Sequence, residues 1–285
     1  MDRLYEVIER PDLRRPVLLV ALKGWIDAGL GADGAAEVIT QGLATRSVAR
    51  FDADRLLDWR ARRPTMRIVD GRLDGLTWEA TELSWTTDGE GNDVLLLLGD
   101  EPDTGWLRFT DEVVELAGEL GVRMLVALGA YPSPTPHTRL PLVACSASSD
   151  ELIDSTFLRT SVEVPSGVQS MLERKAALAG IPAIGLWAQV PHYVAAMPYP
   201  AASLALVEAA NRVAGLALPA GDLADRSARA RTRIDELVAQ NPEHLAMIRQ
   251  LEAQVDETTT AIELSMTSGD DLAAELERFL REQGR

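Results

Sequence analysis

The stretch PVLLVALKGWIDAGLGADGAAEVITQGLA, residues 16–44, decides the fold. Pro16 to Leu22 is a continuous apolar run of buried-strand length, a glycine-rich loop follows, and the spacing predicts a helix from about Asp33 to Ala44. The same order of strand, loop and helix returns along the chain. DVLLLLG leads into a helix whose Trp106, Phe109, Val113, Leu116 and Leu120 step by three and four, and Gly121 sits at its cap before the strand Val122 to Ala130. PLVACSA, Pro141 to Ala147, reads as another strand, and Ser166 with Gln169 reads as the capping box of a helix that Gly180 and Pro182 close. The strand Pro182 to Val190 and a helix through Leu204, Val207 and Ala214 complete the series. Ser47 to Phe51 is a further short strand, and Met66 to Val69 with Leu76 to Thr81 reads as a hairpin or a pair of edge strands. This alternation is the signature of an α/β class, a three-layer α/β/α sandwich with a largely parallel sheet, expected over residues 1–221.

From Asp222 the periodicity turns helical and charged, so residues 222–285 are expected to form a helical extension. Ile234, Leu237 and Val238 mark one helix; Asn241 and Pro242 read as N-cap and first turn of a second, with Ile248, Leu251 and Val255 on its face. A last amphipathic helix carries Leu272, Leu276, Phe279 and Leu280, which need a surface to cover.

The 285 residues hold 44 acidic and 28 basic side chains, a net charge of −16. Such an excess repels phosphate backbones and anionic headgroups, so neither nucleic acid nor membrane is an expected partner. The apolar runs fall far short of the roughly 20 residues that cross a bilayer. The N-terminus is charged throughout and Cys145 is the single cysteine, which together point to a cytoplasmic protein without an internal disulfide.

Several residue groups invite a chemical reading. Gly29, Gly31 and Gly34 form GxGxxG between a strand and a helix, with Asp52 after the next strand, the outline of a dinucleotide site. Six residues, Lys23 to Ala28, separate Leu22 from the first glycine, however, which favours glycines that allow a tight turn and close helix packing. The inserted Trp25 and Asp27 lie at the carboxyl end of the first strand, where ligands bind in open α/β sheets. Trp25 either walls a pocket or enters a core or subunit contact; Asp27 either serves a ligand or caps loop amides. His137 and Arg139 follow one strand and His192 and Tyr193 follow another, so Asp27, His137 and His192 are the candidate proton-transfer groups of a small-molecule hydrolase or transferase. The other reading has both histidines ordering proline-rich loops, and the absence of GxSxG, HExxH and Walker motifs favours it. Cys145 reads as a small core residue, the acidic run from Asp88 to Asp103 as a solvated rim, and Arg226, Arg229, Arg231 and Arg233 as helix-surface pairs or a subunit contact. No metal site and no cofactor are expected.

Six segments in register resemble the proteasome assembly chaperone 2 family, in its actinobacterial branch with a helical C-terminal extension. They are GWIDAG after the first strand, ARFDADRLLDWRARRPT (Ala49 to Thr65), LGDEPDTGWLRF (Leu98 to Phe109), PHTR (Pro136 to Arg139), VPSG (Val164 to Gly167) and VPHYVA (Val190 to Ala195). The resemblance implies a phosphorylase/hydrolase-like sandwich, self-assembly into a homo-oligomer with a trimer among the expected sizes, and proteasome-related partners. It supplies no catalytic set. Relatives usually carry asparagine at the place of Ile26, and many lack the glycines at 31 and 34, which counts further against a dinucleotide. Some also end in a hydrophobic-tyrosine-any-residue tail; here the last residues are Glu282 to Arg285, so docking by that tail is not expected. The expectation is a non-enzymatic, chaperone-like interaction protein in which Trp25, Asp27, Gly29, His137, Arg139, His192 and Tyr193 shape a pocket or contact surface. The alternatives are the hydrolase or transferase and nucleotide binding at Gly29 to Gly34.

Overall fold

The structure, a computed structural model, describes residues 2–257. The last helix expected from Leu272 onward lies outside the described residues. Among the described residues the chain divides into two compact units, residues 2–133 with 140–230, and residues 134–139 with 231–257. The division falls inside a helix and gives the short PHTR loop to the second unit.

The first unit is a layered α/β structure. Its strands are β1 (Tyr5–Val7), β2 (Val17–Lys23), β3 (Arg46–Phe51), β4 (Thr65–Val69), β5 (Arg72–Thr77), β6 (Glu82–Thr87), β7 (Asp93–Asp100), β8 (Met124–Ser133), β9 (Val143–Ala147) and β10 (Ala183–Pro191). Its helices are α1 (Gly31–Gly42), α2 (Ala53–Leu56), α3 (Trp106–Glu119), α4 (Val168–Leu178) and α5 (Pro200–Ala214), with α6 (Leu223–Ala239) crossing into the second unit. Eight strands make one sheet in the order β1-β3-β6-β7-β2-β8-β10-β9, and β4 with β5 forms a separate ribbon. The four central strands, β7, β2, β8 and β10, run parallel. Antiparallel strands flank them on both sides, so the sheet is parallel at its core and mixed at its edges.

The central strands read as unbroken apolar runs because both of their faces are covered. Leu18, Val20 and Leu22 point to one side with Leu95, Leu97, Leu125 and Ala127, where they meet Phe109, Val113 and Leu116 of α3 and Val168, Leu172 and Ala176 of α4. The alternate residues, among them Leu19, Leu96 and Val126, are fully buried on the other side, which α1 and α5 cover. Helices α3 and α4 pack on each other, as do α1 and α5.

Among the described residues the second unit holds the end of α6 and a further helix. Its second helix, α7, occupies 242–257. Asn241 caps it, its Oδ1 accepting from Glu243 N at 2.9 Å. Ile234, Val238, Ile248 and Leu251 are buried, whereas Leu237 is 53% exposed, so the buried stripe of α6 is narrower than its apolar pattern.

Candidate functional site

Strands β2 and β8 pair only from Val17 and Met124 to Val20 and Ala127, then separate. The chain leaves β2 toward α1 on one face of the sheet, while α4 lies on the other, so a crevice opens between their carboxyl ends as at the switch point of other open α/β sheets. Gln169 of α4 bridges the gap, its Oε1 accepting from Leu22 N at 2.7 Å and its Nε2 donating to Leu128 O at 3.0 Å. The amide side chain thus replaces the ladder bonds that the diverging strands cannot make.

Above this bridge, on the α3–α4 side, is a cavity of about 530 Å³. Leu22, Tyr131 and Trp187 contribute from the strands, Trp25 and Ile26 from the loop after β2, and Gly167, Gln169 and Ser170 from the start of α4. Val162, Val164 and Pro165 close one side, and Ala144, Cys145 and Ser146 of β9 close another. Among the described residues no lysine or arginine lines it.

Glu101, at the end of β7, ties the rim together. Its Oε2 accepts from Trp25 N at 3.2 Å and its Oε1 from Val168 N, the first amide of α4. A carboxylate is favoured at that end of a helix dipole. A Cβ at Gly24 would collide with the Glu101 carboxyl, and one at Gly167 would lie 2.9 Å from Glu101 Oε1. Three separate segments, GWIDAG, LGDEPDTGWLRF and VPSG, therefore meet on one side chain. The sequence reading placed Glu101 in a solvated acidic rim; it is buried. Asp88 is buried as well, and takes the Asn92 and Ala217 amides rather than water.

Behind the cavity wall sits a second buried acid, Glu173 of α4. Its Oε2 accepts from Ser146 Oγ at 2.7 Å, and its Oε1 has no hydrogen-bond partner among the described residues. Burial raises its pKa to about 7, with the Ser146 hydrogen bond acting the other way. Gly185 leaves the space for this pair, since a Cβ there would collide with Glu173 Oε1 and lie 2.6 Å from Ser146 Oγ. Gly129 in the same way leaves room for the Trp187 ring, whose Nε1 is 3.4 Å from Ser146 Oγ. Burial also raises the thiol of Cys145, which is half-buried at the cavity edge and not sealed in the core.

Of the expected site residues, Trp25 lines the cavity and is 57% exposed. Asp27 does not line it. Its Oδ1 accepts from Ala32 N at 2.8 Å and its Oδ2 from Asp33 N at 3.0 Å, so it caps α1. Burial raises its pKa, and the Ala32 and Asp33 amides oppose that. Gly29 donates its N–H to Ala195 O and accepts at its carbonyl from Tyr199 N, both at 2.7 Å, which pins the loop to the VPHYVA segment. His192 is exposed there, with its ring edge-on to Tyr193 at 5.3 Å.

The glycines of GxGxxG serve packing. A Cβ at Gly31 would lie 2.7 Å from Ala130 Cβ, and one at Gly34 would lie 2.5 Å from Ser203 Oγ. The α1 amides that a pyrophosphate would need already face the Asp27 carboxylate, so the geometry speaks against nucleotide binding at Gly29 to Gly34.

His137 and Arg139 belong to the second unit and are engaged within it. His137 Nε2 lies 2.9 Å from Asp235 Oδ1 of α6, Thr138 Oγ1 donates to Glu252 of α7 at 2.6 Å, and Arg139 pairs with Glu252 and Asp256. Hydrogen bonding to Asp256 raises the Arg139 pKa further above its already basic value. The loop thereby clasps both helices of the hairpin. Asp27, His137 and His192 each meet partners of their own, the α1 amides, Asp235 and Tyr193 respectively. Among the described residues no group of three or more His, Cys, Asp or Glu is placed to hold a metal ion, and no helix is long and apolar enough to cross a membrane.

Residues 21–238 match the model of the PAC2 family. The chain belongs to the PAC2 family. A Corynebacterium glutamicum protein of unknown function is 33% identical to this PAC2 chain, with a TM-score of 0.85 over 90% of this chain and 97% of its own. Rv2714 of Mycobacterium tuberculosis, also of unknown function, is 35% identical, with a TM-score of 0.86 over 93% of each chain. Rv2125 of the same organism, a proteasome-assembly chaperone homologue, is 32% identical, with a TM-score of 0.75 over 81% of this chain and 99% of its own. No curated protein matches.

Proposed function

We propose that this PAC2 chain is a non-enzymatic, chaperone-like interaction protein that self-associates and acts on proteasome-related proteins. The observation that carries the reading is its 32% identity to the mycobacterial proteasome-assembly chaperone homologue, which is matched over 99% of its length. The β4–β5 ribbon supports it. Every residue of both strands is exposed, including Met66, Ile68, Leu73 and Leu76 at 48–62%. Two isolated strands are marginal in water, and apolar side chains on such a ribbon are stabilised when a partner covers them. Exposed Trp25 and His192 add contact area on the first unit.

The test is capture from the native host followed by mass spectrometry, together with light scattering of the purified protein. Recovery of proteasome subunits, with an assembly larger than one protomer that Met66→Asp with Leu76→Asp dissociates, is the expected result. A monomer at micromolar concentration that captures nothing but itself overturns the proposal.

A further inference from the structure

The cavity above the Gln169 bridge is a built site, and its chemistry selects its ligand. A volume of about 530 Å³ is that of a small-molecule pocket, within the roughly 300–1,000 Å³ common for such sites. Three of the chain's fourteen aromatic side chains that are tryptophan, tyrosine or phenylalanine line it, Trp25, Tyr131 and Trp187. Ring faces attract cations, tryptophan most strongly.

The polar groups point the same way. Ser146 donates its one hydroxyl proton to Glu173 Oε2 at 2.7 Å and accepts a long bond from Trp187 Nε1 at 3.4 Å, so its Oγ keeps one lone pair for a further donor. Behind it stands a carboxyl group, 8% exposed, with an unpartnered Oε1 and no cation among its hydrogen-bond or charge partners. Glu101 puts a second carboxylate on the rim. Arg159, whose charge acts on the Cys145 thiol, is not a lining residue. An anion would enter a cavity with one carboxylate on its rim, a second acid behind its wall, no lysine or arginine among the described lining residues and a parent chain of charge −16.

Keeping a buried carboxyl where Gly185 must lack a side chain to make room for it is a structural expense that packing alone does not explain. We propose that this cavity binds a protonated aryl- or alkylamine, with its apolar body against Trp25, Tyr131 and Trp187 and an N–H donated to Ser146 Oγ. No covalent step is involved. The site lies apart from the β4–β5 ribbon and does not depend on the chaperone reading.

Benzylammonium, benzyl alcohol and phenylacetate share one body and differ in charge. Titration of each into the full-length protein, followed by calorimetry and tryptophan fluorescence, separates the alternatives. The amine is expected to bind about tenfold or more tighter than the alcohol, and the anion weakest of the three. Ser146→Ala is expected to bring the amine to within about twofold of the alcohol, and Trp25→Ala, at an exposed loop position that does not threaten folding, to weaken the amine by about fivefold. Equal affinity for amine and alcohol, tightest binding of phenylacetate, amine binding unchanged in both variants, or no binding of any probe at millimolar concentration overturns the proposal.

Discussion

Glu173 shows how a single side chain can act against the stability of the fold that holds it. Burial pushes its folded-state pKa up to about 7 from the 4.5 usual for a glutamate. Between those two values the folded chain keeps a proton that the unfolded chain has released. The stability associated with this group is therefore complete below the lower value and is lost as pH rises through the upper one. Glu173→Gln is expected to be more stable than the parent above about pH 7, by on the order of 2–3 kcal/mol. Urea denaturation of both proteins on either side of neutrality measures this, and the two curves should converge in mild acid. Gln169 has the opposite character. Its amide satisfies two buried backbone groups at once, Leu22 N and Leu128 O, so Gln169→Ala is expected to destabilise the protein by about 2–4 kcal/mol in the same assay. Neither role was legible along the chain. Ser166 and Gln169 have the spacing of a capping box, but Ser166 Oγ donates to Gly167 O and the α4 cap is Glu101, distant in sequence. Capping boxes are read from neighbours, whereas this cap is supplied by another strand.

At the scale of elements, the pattern succeeded where an element answers to its own residues. β2, β7, β8 and β10 are continuous apolar runs, and α1, α3 and α5 follow a clear helical period, so each was visible alone. β1 and β6 were not. Tyr5–Val7 is three residues long, and Glu82–Thr87 owes its strand conformation to ladders with β3 and β7 on either side. The β4–β5 hairpin was legible only in part: its second strand was expected at Leu76 to Thr81, whereas β5 runs Arg72–Thr77, because the chain turns at once at Asp70 and Gly71, both at positive φ. Since that ribbon is exposed, Met66→Lys with Leu76→Lys is expected to shift the unfolding free energy of the protomer by less than about 0.5 kcal/mol. Thermal denaturation at a concentration too low for self-association checks this, and separates a binding role from a folding role. Asn241 offers a second element-level test. Asn241→Ala should weaken the α7 N-terminus by about 1 kcal/mol, read as faster amide exchange over the first turn with the sheet amides unchanged.

For the whole molecule, charge and connectivity govern the outcome. With 44 acids against 28 bases the protein is expected to give no mobility shift with duplex DNA at physiological salt, and a shift at micromolar protein would contradict the electrostatic argument. The second unit is held internally by the 134–139 loop, which reaches α6 through His137 and α7 through Thr138 and Arg139. Arg139→Ala is expected to speed proteolytic cleavage within 231–257 while the sheet of the first unit resists, as mass spectrometry of the fragments would record. From the sequence, PHTR read as part of a rim shared with Asp27 and His192. Following a strand at its carboxyl end says where a loop begins, and says nothing of which partners its side chains meet, here Asp235, Glu252 and Asp256.

By itself the sequence determined the α/β class, the parallel central strands, the Asn241 helix cap, and membership of the family. These follow from hydrophobic period, local capping and motif order, all of which act between near neighbours. Only the tertiary structure decided that Asp27 caps α1, that Gly31 and Gly34 serve helix packing, and that Glu101 joins three distant segments at a cavity backed by Ser146 and Glu173. Those outcomes depend on which strands lie side by side and where they part. The separation of β2 from β8 opens the crevice, and no residue of either strand carries a local signature of it.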